Sequence, residues 1–182
     1  MATKTKKKPV KKVVKKRPET KLVNQDTALR QQLVETLTWE GAHVGWKSAL
    51  ANLPAEKRGE EAPELPHTAW ELLEHSRITQ RDILDFCIDP EYKALEWPAG
   101  YWPKTSTPPD NSAWEKSVRA FVADTQEMVN LIEDRRTDLF SKIPHGDGQT
   151  ILREAVLLAD HNAYHLGQFV LVLRALGAWK ET

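Results

Sequence analysis

His161 and His165 stand four residues apart inside residues 157–170, a stretch whose composition reads as helix interior. A four-residue step puts two side chains on one helix face, about one turn apart, so both imidazoles can reach one cation. A third histidine, His75, lies in a second strongly helical segment, residues 70–77. If those two helices face each other, three neutral imidazoles converge and one coordination position stays exchangeable. That ligand count is expected of a catalytic, rather than a structural, divalent metal. The reaction is not written in these residues.

Each histidine has a plainer reading. A single semi-buried histidine is more often a hydrogen-bonded packing residue, and a bare His-x-x-x-His arises in helices by chance. With His161 at zero on a helical wheel, His165 falls at about 40° while Leu166 and Phe169 help centre the apolar stripe near about 100°. The imidazoles therefore lie on the margin of the buried face, and Leu72, Ile83 and Phe86 put His75 in a similar place. Asn162 follows His161, so the general base of a His-Glu-x-x-His metalloprotease is missing.

The outer partners of such ligands should be carboxylates or carbonyls. Glu71, Asp82 and Glu154 are candidates, although Glu71 has a capping duty; Asp160 points about 100° away from His161 and is discounted. Gln168, three residues after His165, is placed to touch a bound substrate. His43 is a further candidate, either as a fourth ligand or as a catalytic acid or base, against a packing role between Ala42 and Val44. His67 precedes a helix cap and His145 sits in a glycine turn, so both read as exposed or locally bonded. Cys87, at a helix C-terminal end, lacks the field that would lower its pKa and reads as a quiet thiol.

Four helices are expected to position these groups. The first spans about residues 26–53, on the recurrence of Leu29, Leu33, Leu37, Val44, Trp46 and Leu50. The second opens on the capping box Thr68-Ala69-Trp70-Glu71 and fades near Ile88, before Pro90. Ser112-Ala113-Trp114-Glu115 repeats that pattern and starts a third helix reaching about Phe140. The fourth runs from about Thr150 to Leu176, with Gly177 as its C-terminal cap. No period-two stretch competes, so the fold class is all-α, a four-helix bundle. Residues 89–110, with five prolines counting Pro90 and with Trp97, Tyr101 and Trp102, form a connection too long to be idle. It either walls the site or packs on the surface.

Composition sets the wider limits. The 182 residues fit one domain, 22–182, behind a tail, 1–21. Net charge is zero, but residues 1–17 hold nine Lys or Arg and no acid, leaving 17 basic against 26 acidic residues in the remainder. Such a tail repels itself and has little to bury, so it reads as disordered, with nonspecific polyanion contact as the sharper alternative. No aromatic residue is interleaved for base stacking, which argues against specific nucleic-acid recognition. One cysteine excludes an internal disulfide. No apolar run approaches a bilayer span and no secretory signal follows the basic residues, so the expected location is cytoplasmic, without a membrane partner.

Three segments, residues 161–168 (HNAYHLGQ), 70–84 (WELLEHSRITQRDIL) and 144–155 (PHGDGQTILREA), resemble the DinB family, specifically the DinB/YfiT-like four-helix metalloproteins. The resemblance covers roughly residues 25–180 and rests on the order and helix positions of short motifs. It implies a divalent metal, commonly zinc or nickel, on one histidine of the second helix and two of the fourth, which are His75, His161 and His165 here. Imidazole ligands agree with Zn, Ni, Co or Fe rather than Mg or Ca. Some relatives of this kind are transferases or isomerases using low-molecular-weight thiols, and many pair through their helices. The expectation is therefore a metal-dependent thiol S-transferase or hydrolase acting on a small-molecule substrate, possible as a homodimer. The alternative is a noncatalytic metal- or small-ligand-binding stress or sensor bundle.

Overall fold

The structure, a computed structural model, describes residues 24–38, 41–51 and 53–179. The basic tail expected at residues 1–21 lies outside them. The chain is all-α: α1 (Gln25–Thr38), α2 (Trp46–Ala51), α3 (Ala69–Ile88), α4 (Asn111–Glu133) and α5 (Ile151–Ala175), with short 3-10 turns at Ala55–Lys57 and Ala99–Tyr101. Four of the five helices among the described residues are long. No strand occurs among the described residues, where a single antiparallel bridge pairs Lys142 with Thr150. No helix described is long and apolar enough to cross a membrane.

Local signals set several boundaries. Thr68 and Glu71 close a reciprocal capping box at the start of α3. Thr150 accepts the Arg153 amide at the start of α5, and Gly177 beyond its end has φ 62°, a conformation that favours glycine.

Two expected boundaries are corrected. The single first helix over residues 26–53 is instead α1 and α2, separated by a bend at residues 41–43. Gly41 and Gly45 weaken helix propensity there, and tertiary packing then decides. After the bend, the Trp46 indole sits between Phe121 and Phe169, at centroid distances of 5.1 and 5.3 Å, and its N–H donates to the Asn162 carbonyl at 3.1 Å. A straight helix would forfeit that burial.

The helix expected from Ser112 to about Phe140 starts at Asn111 and ends at Glu133. Its N-cap is Asp110, which accepts from the Ala113 amide at 2.8 Å and also from the Ser112 hydroxyl. The early end is held by Arg30 of α1. Its buried guanidinium donates to the carbonyls of Ile132, Asp134 and Thr137 at 2.6, 3.1 and 2.8 Å, so backbone acceptors without helical partners are satisfied from another element.

α3 packs on both α4 and α5, α1 on α4 and α5, and α2 on α5. One apolar cluster gathers Trp70, Trp114, Phe121 and Phe169; the other gathers Leu84, Met128, Ile132 and Leu158. Burying each such side chain contributes on the order of 1.5–3 kcal/mol. A polar layer centres on Gln80, which is fully buried and donates to the Phe121 carbonyl while accepting from Asn162 and Thr125. Those bonds fix the rotation of α3, α4 and α5 about one another, and hence where their histidines point.

Candidate metal centre

The rotation set by that layer brings His75 of α3 against His161 and His165 of α5. The Nε2 atoms of His75 and His165 are 3.0 Å apart, and those of His75 and His161 are 3.2 Å apart. Ligand atoms of all three lie within 4.8 Å of one another, the one such His/Cys/Asp/Glu group of three or more among the described residues. Nitrogen atoms sharing one zinc at roughly 2.0–2.1 Å in a tetrahedral array stand about 3.3–3.4 Å apart. The spacing fits such an ion.

Hydrogen bonds fix which nitrogens face inward. His75 Nδ1 lies 2.8 Å from the Tyr101 carbonyl, which can only accept, so Nδ1 carries the proton. His165 Nδ1 is likewise 2.8 Å from Gln168 Oε1. Both rings therefore turn unprotonated Nε2 lone pairs toward each other. Two facing acceptors at 3.0 Å repel unless a cation lies between them, which is the donor set a divalent transition metal takes. Nδ1 of His161 is buried with no hydrogen bond closed to it.

Electrostatics keep the rings neutral. Burial pushes His161 down to about 4, with the imidazoles of His165 and His75 acting in the same direction against a smaller opposing effect of Asn162. Burial also takes His165 to about 4, opposed by Gln168. His75 is lowered by burial, against the Tyr101 carbonyl. Neutral imidazole is the form that ligates.

The long second connection closes over this group. Asp82 of α3 accepts from the hydroxyls of Tyr92 and Tyr101 at 2.9 and 3.0 Å, pinning the loop whose Tyr101 carbonyl holds His75. The next residue, Trp102, stacks on the His75 ring at 4.0 Å with planes 5° apart, and His67 stacks on its other face at 4.2 Å. Thr68 donates to the Ser106 carbonyl and ties the loop to the α3 N-terminus. The connection thus walls the site rather than merely covering surface.

Other candidates fall elsewhere. His43 is exposed in the bend before α2, where its Nδ1 is 2.8 Å from the Val44 carbonyl, and it is outside the histidine group. Glu71 is spent on its cap, Glu154 pairs with Arg153, and Asp82 acts only through Tyr101. Gln168 orients His165. His145 bonds the Phe86 carbonyl at the far end of α3. Cys87 is pushed up to about 12 by burial and by Glu154, so it is no nucleophile. The sequence placed Trp102 among the aromatics of the connection and His67 as an exposed or locally bonded histidine; their stacking beside His75 had no signal beyond that clustering of aromatics near a helix that carries a candidate ligand. The chain matches no protein-family model, no curated protein and no solved structure.

Proposed function

We propose that the four long helices constitute a DinB-like four-helix bundle whose His75, His161 and His165 hold one divalent transition metal, zinc or nickel, for a thiol S-transfer or hydrolysis reaction on a small molecule. The observation that carries this reading is the 3.0 Å approach of two Nε2 atoms whose Nδ1 protons are already committed to Tyr101 and Gln168. What a bound ion supplies is Lewis acidity, with which water or a low-molecular-weight thiol deprotonates near neutral pH.

The surrounding residues do the rest. The Tyr101 carbonyl and Gln168 fix two ring orientations and make those imidazoles better donors. Trp102 covers one face of His75 and excludes water from it. His67, half-buried on the outer face of Trp102, and Tyr164, 64% exposed and edge-on to His165 at 4.9 Å, border the approach. A substrate reaching the histidines therefore meets aromatic surface first, which suits an apolar electrophile.

The test is turnover by zinc- and nickel-loaded protein on panels pairing low-molecular-weight thiols with activated alkyl and unsaturated carbonyl electrophiles, beside ester and amide hydrolysis panels. Turnover lost in His165→Ala supports the assignment. Metal bound without turnover in every panel moves the function to noncatalytic metal binding.

A further inference from the structure

A cavity of about 330 Å³ lies between α1, α2, α4 and α5. That volume is within the range of about 300–1,000 Å³ usual for small-molecule sites. None of His75, His161, His165, Tyr101, Trp102 and Gln168 lines it. On α5 it is lined instead by Ala159, Asn162, Ala163 and Leu166. Asn162 stands about 100° round the helix from His161, so the cavity and the histidine centre use different faces of α5.

The cavity exists because the chain bends between α1 and α2. A continuous helix would carry Trp46 elsewhere; the bend turns its indole onto Phe121 and Phe169, leaving space beside Leu37. The walls are mainly apolar and aromatic, from Leu37, Trp46, Phe121 and Leu166, with Thr125, Gln126 and Asn162 as polar members.

The described part of the lining differs in charge from the body. Beyond residue 17 the chain carries 26 acidic against 17 basic residues, yet no described residue lining the cavity is Asp or Glu. Among the described residues that line it, the ionisable groups are Lys47 and His43, both exposed at its edge. An apolar pocket bordered by a cation within an acidic surface complements an anion with an aromatic or apolar body.

We propose that this cavity is a second small-molecule site, independent of the metal reading, which takes an aromatic or apolar carboxylate with its ring against Trp46 and Phe121 and its charge toward Lys47. Unlike a patch on a helix surface, it is a concave site with stacking partners on two elements.

Isothermal titration of the full chain with 2-naphthoate, and with the neutral 2-naphthamide, tests it. The expected result is saturable binding of 2-naphthoate near one per chain, weakened at least about tenfold by Ala163→Trp, which adds bulk at an exposed lining position and leaves the core alone. Lys47→Glu weakens it about fivefold, as reversal of an exposed charge worth up to about 1 kcal/mol implies, and added salt reduces the difference. Binding persists in His161→Ala/His165→Ala. Absence of saturable binding, or binding unaltered by Ala163→Trp, overturns the site. Equal affinity for acid and amide, or no response to Lys47→Glu, overturns the choice of an anion. Loss of binding in the double histidine variant, with far-UV dichroism and melting unchanged, overturns its independence from the metal centre.

Discussion

The two sides of α5 are built by different means. On the side toward α3, contact is continuous, and a polar layer around Gln80 fixes the register in which three imidazoles meet. On the side toward α1 and α2, the chain bends between two helices: α1 packs Leu33 into the Leu84–Leu158 cluster and is tied by Arg30 at the end of α4, while α2 is tied by Trp46 at the Asn162 carbonyl. The first construction specifies ring orientations; the second leaves a cavity. Close packing with satisfied polar atoms is what a preorganised ligand set needs, while an incompletely filled seam can admit a molecule.

If the Arg30 bonds carry much of the hold on α1 beside its packed leucines, removing them should have a large effect. Arg30→Met leaves three backbone carbonyls without their donor and should cost about 3 kcal/mol in urea unfolding, given roughly 1–3 kcal/mol for each buried acceptor stranded. A loss below about 1 kcal/mol would mean that α1 is held by its apolar face instead.

The histidine side should reveal itself on acidification of chelator-treated protein. His161 and His165 titrate at about 4 in the native state, against about 6.5 in an unfolded chain. Between those values the unfolded state binds more protons, so stability falls as pH drops from about 6.5 toward about 4 and levels off below it. The loss should reach a few kcal/mol at most, since each pH unit of difference is worth about 1.4 kcal/mol and both rings retain some solvent access. His161→Gln/His165→Gln should flatten the profile in that window; an identical profile would mean that these rings are not buried together.

Smaller effects separate orientation from mere packing. Gln168→Ala frees the His165 ring and should weaken metal affinity by about 10–100-fold while leaving the melting temperature of metal-free protein nearly unchanged. Asp110→Ala should cost about 1 kcal/mol as the loss of the α4 N-cap. Ser112→Ala should cost less, because its hydroxyl only donates to Asp110.

The same contrast explains what was legible in the sequence. On the α3–α5 side the signals were local: Thr68 with Glu71, Thr150, Gly177, and two histidines one turn apart. Each acts through bonds a few residues long, and the helices begin and end accordingly. On the α1–α2 side, the apolar recurrence of Leu29 to Leu50 ran through a bend that only the docking of Trp46 on Phe121 and Phe169 requires. At the end of α4, Leu139 continues the spacing of Ile132 and is fully buried, but in non-helical chain whose carbonyl accepts from Leu152. Periodicity cannot tell a helical leucine from one buried after the helix stops. Ser112 matched a capping pattern that Asp110, two residues earlier, fulfils with the stronger acceptor. Trp102 gave no periodic signal, because a stacking residue on a loop is defined by what it covers.

If the three imidazoles meet in order to hold a metal, the ion should purify with the protein. Elemental analysis of untagged protein, beside His161→Ala/His165→Ala, addresses it most directly. About one equivalent of zinc or nickel per chain is expected, as one three-histidine site requires, and none in the double variant. No metal after reconstitution with either ion, or equal metal in both proteins, would contradict it and leave the histidines as a packed, neutral cluster.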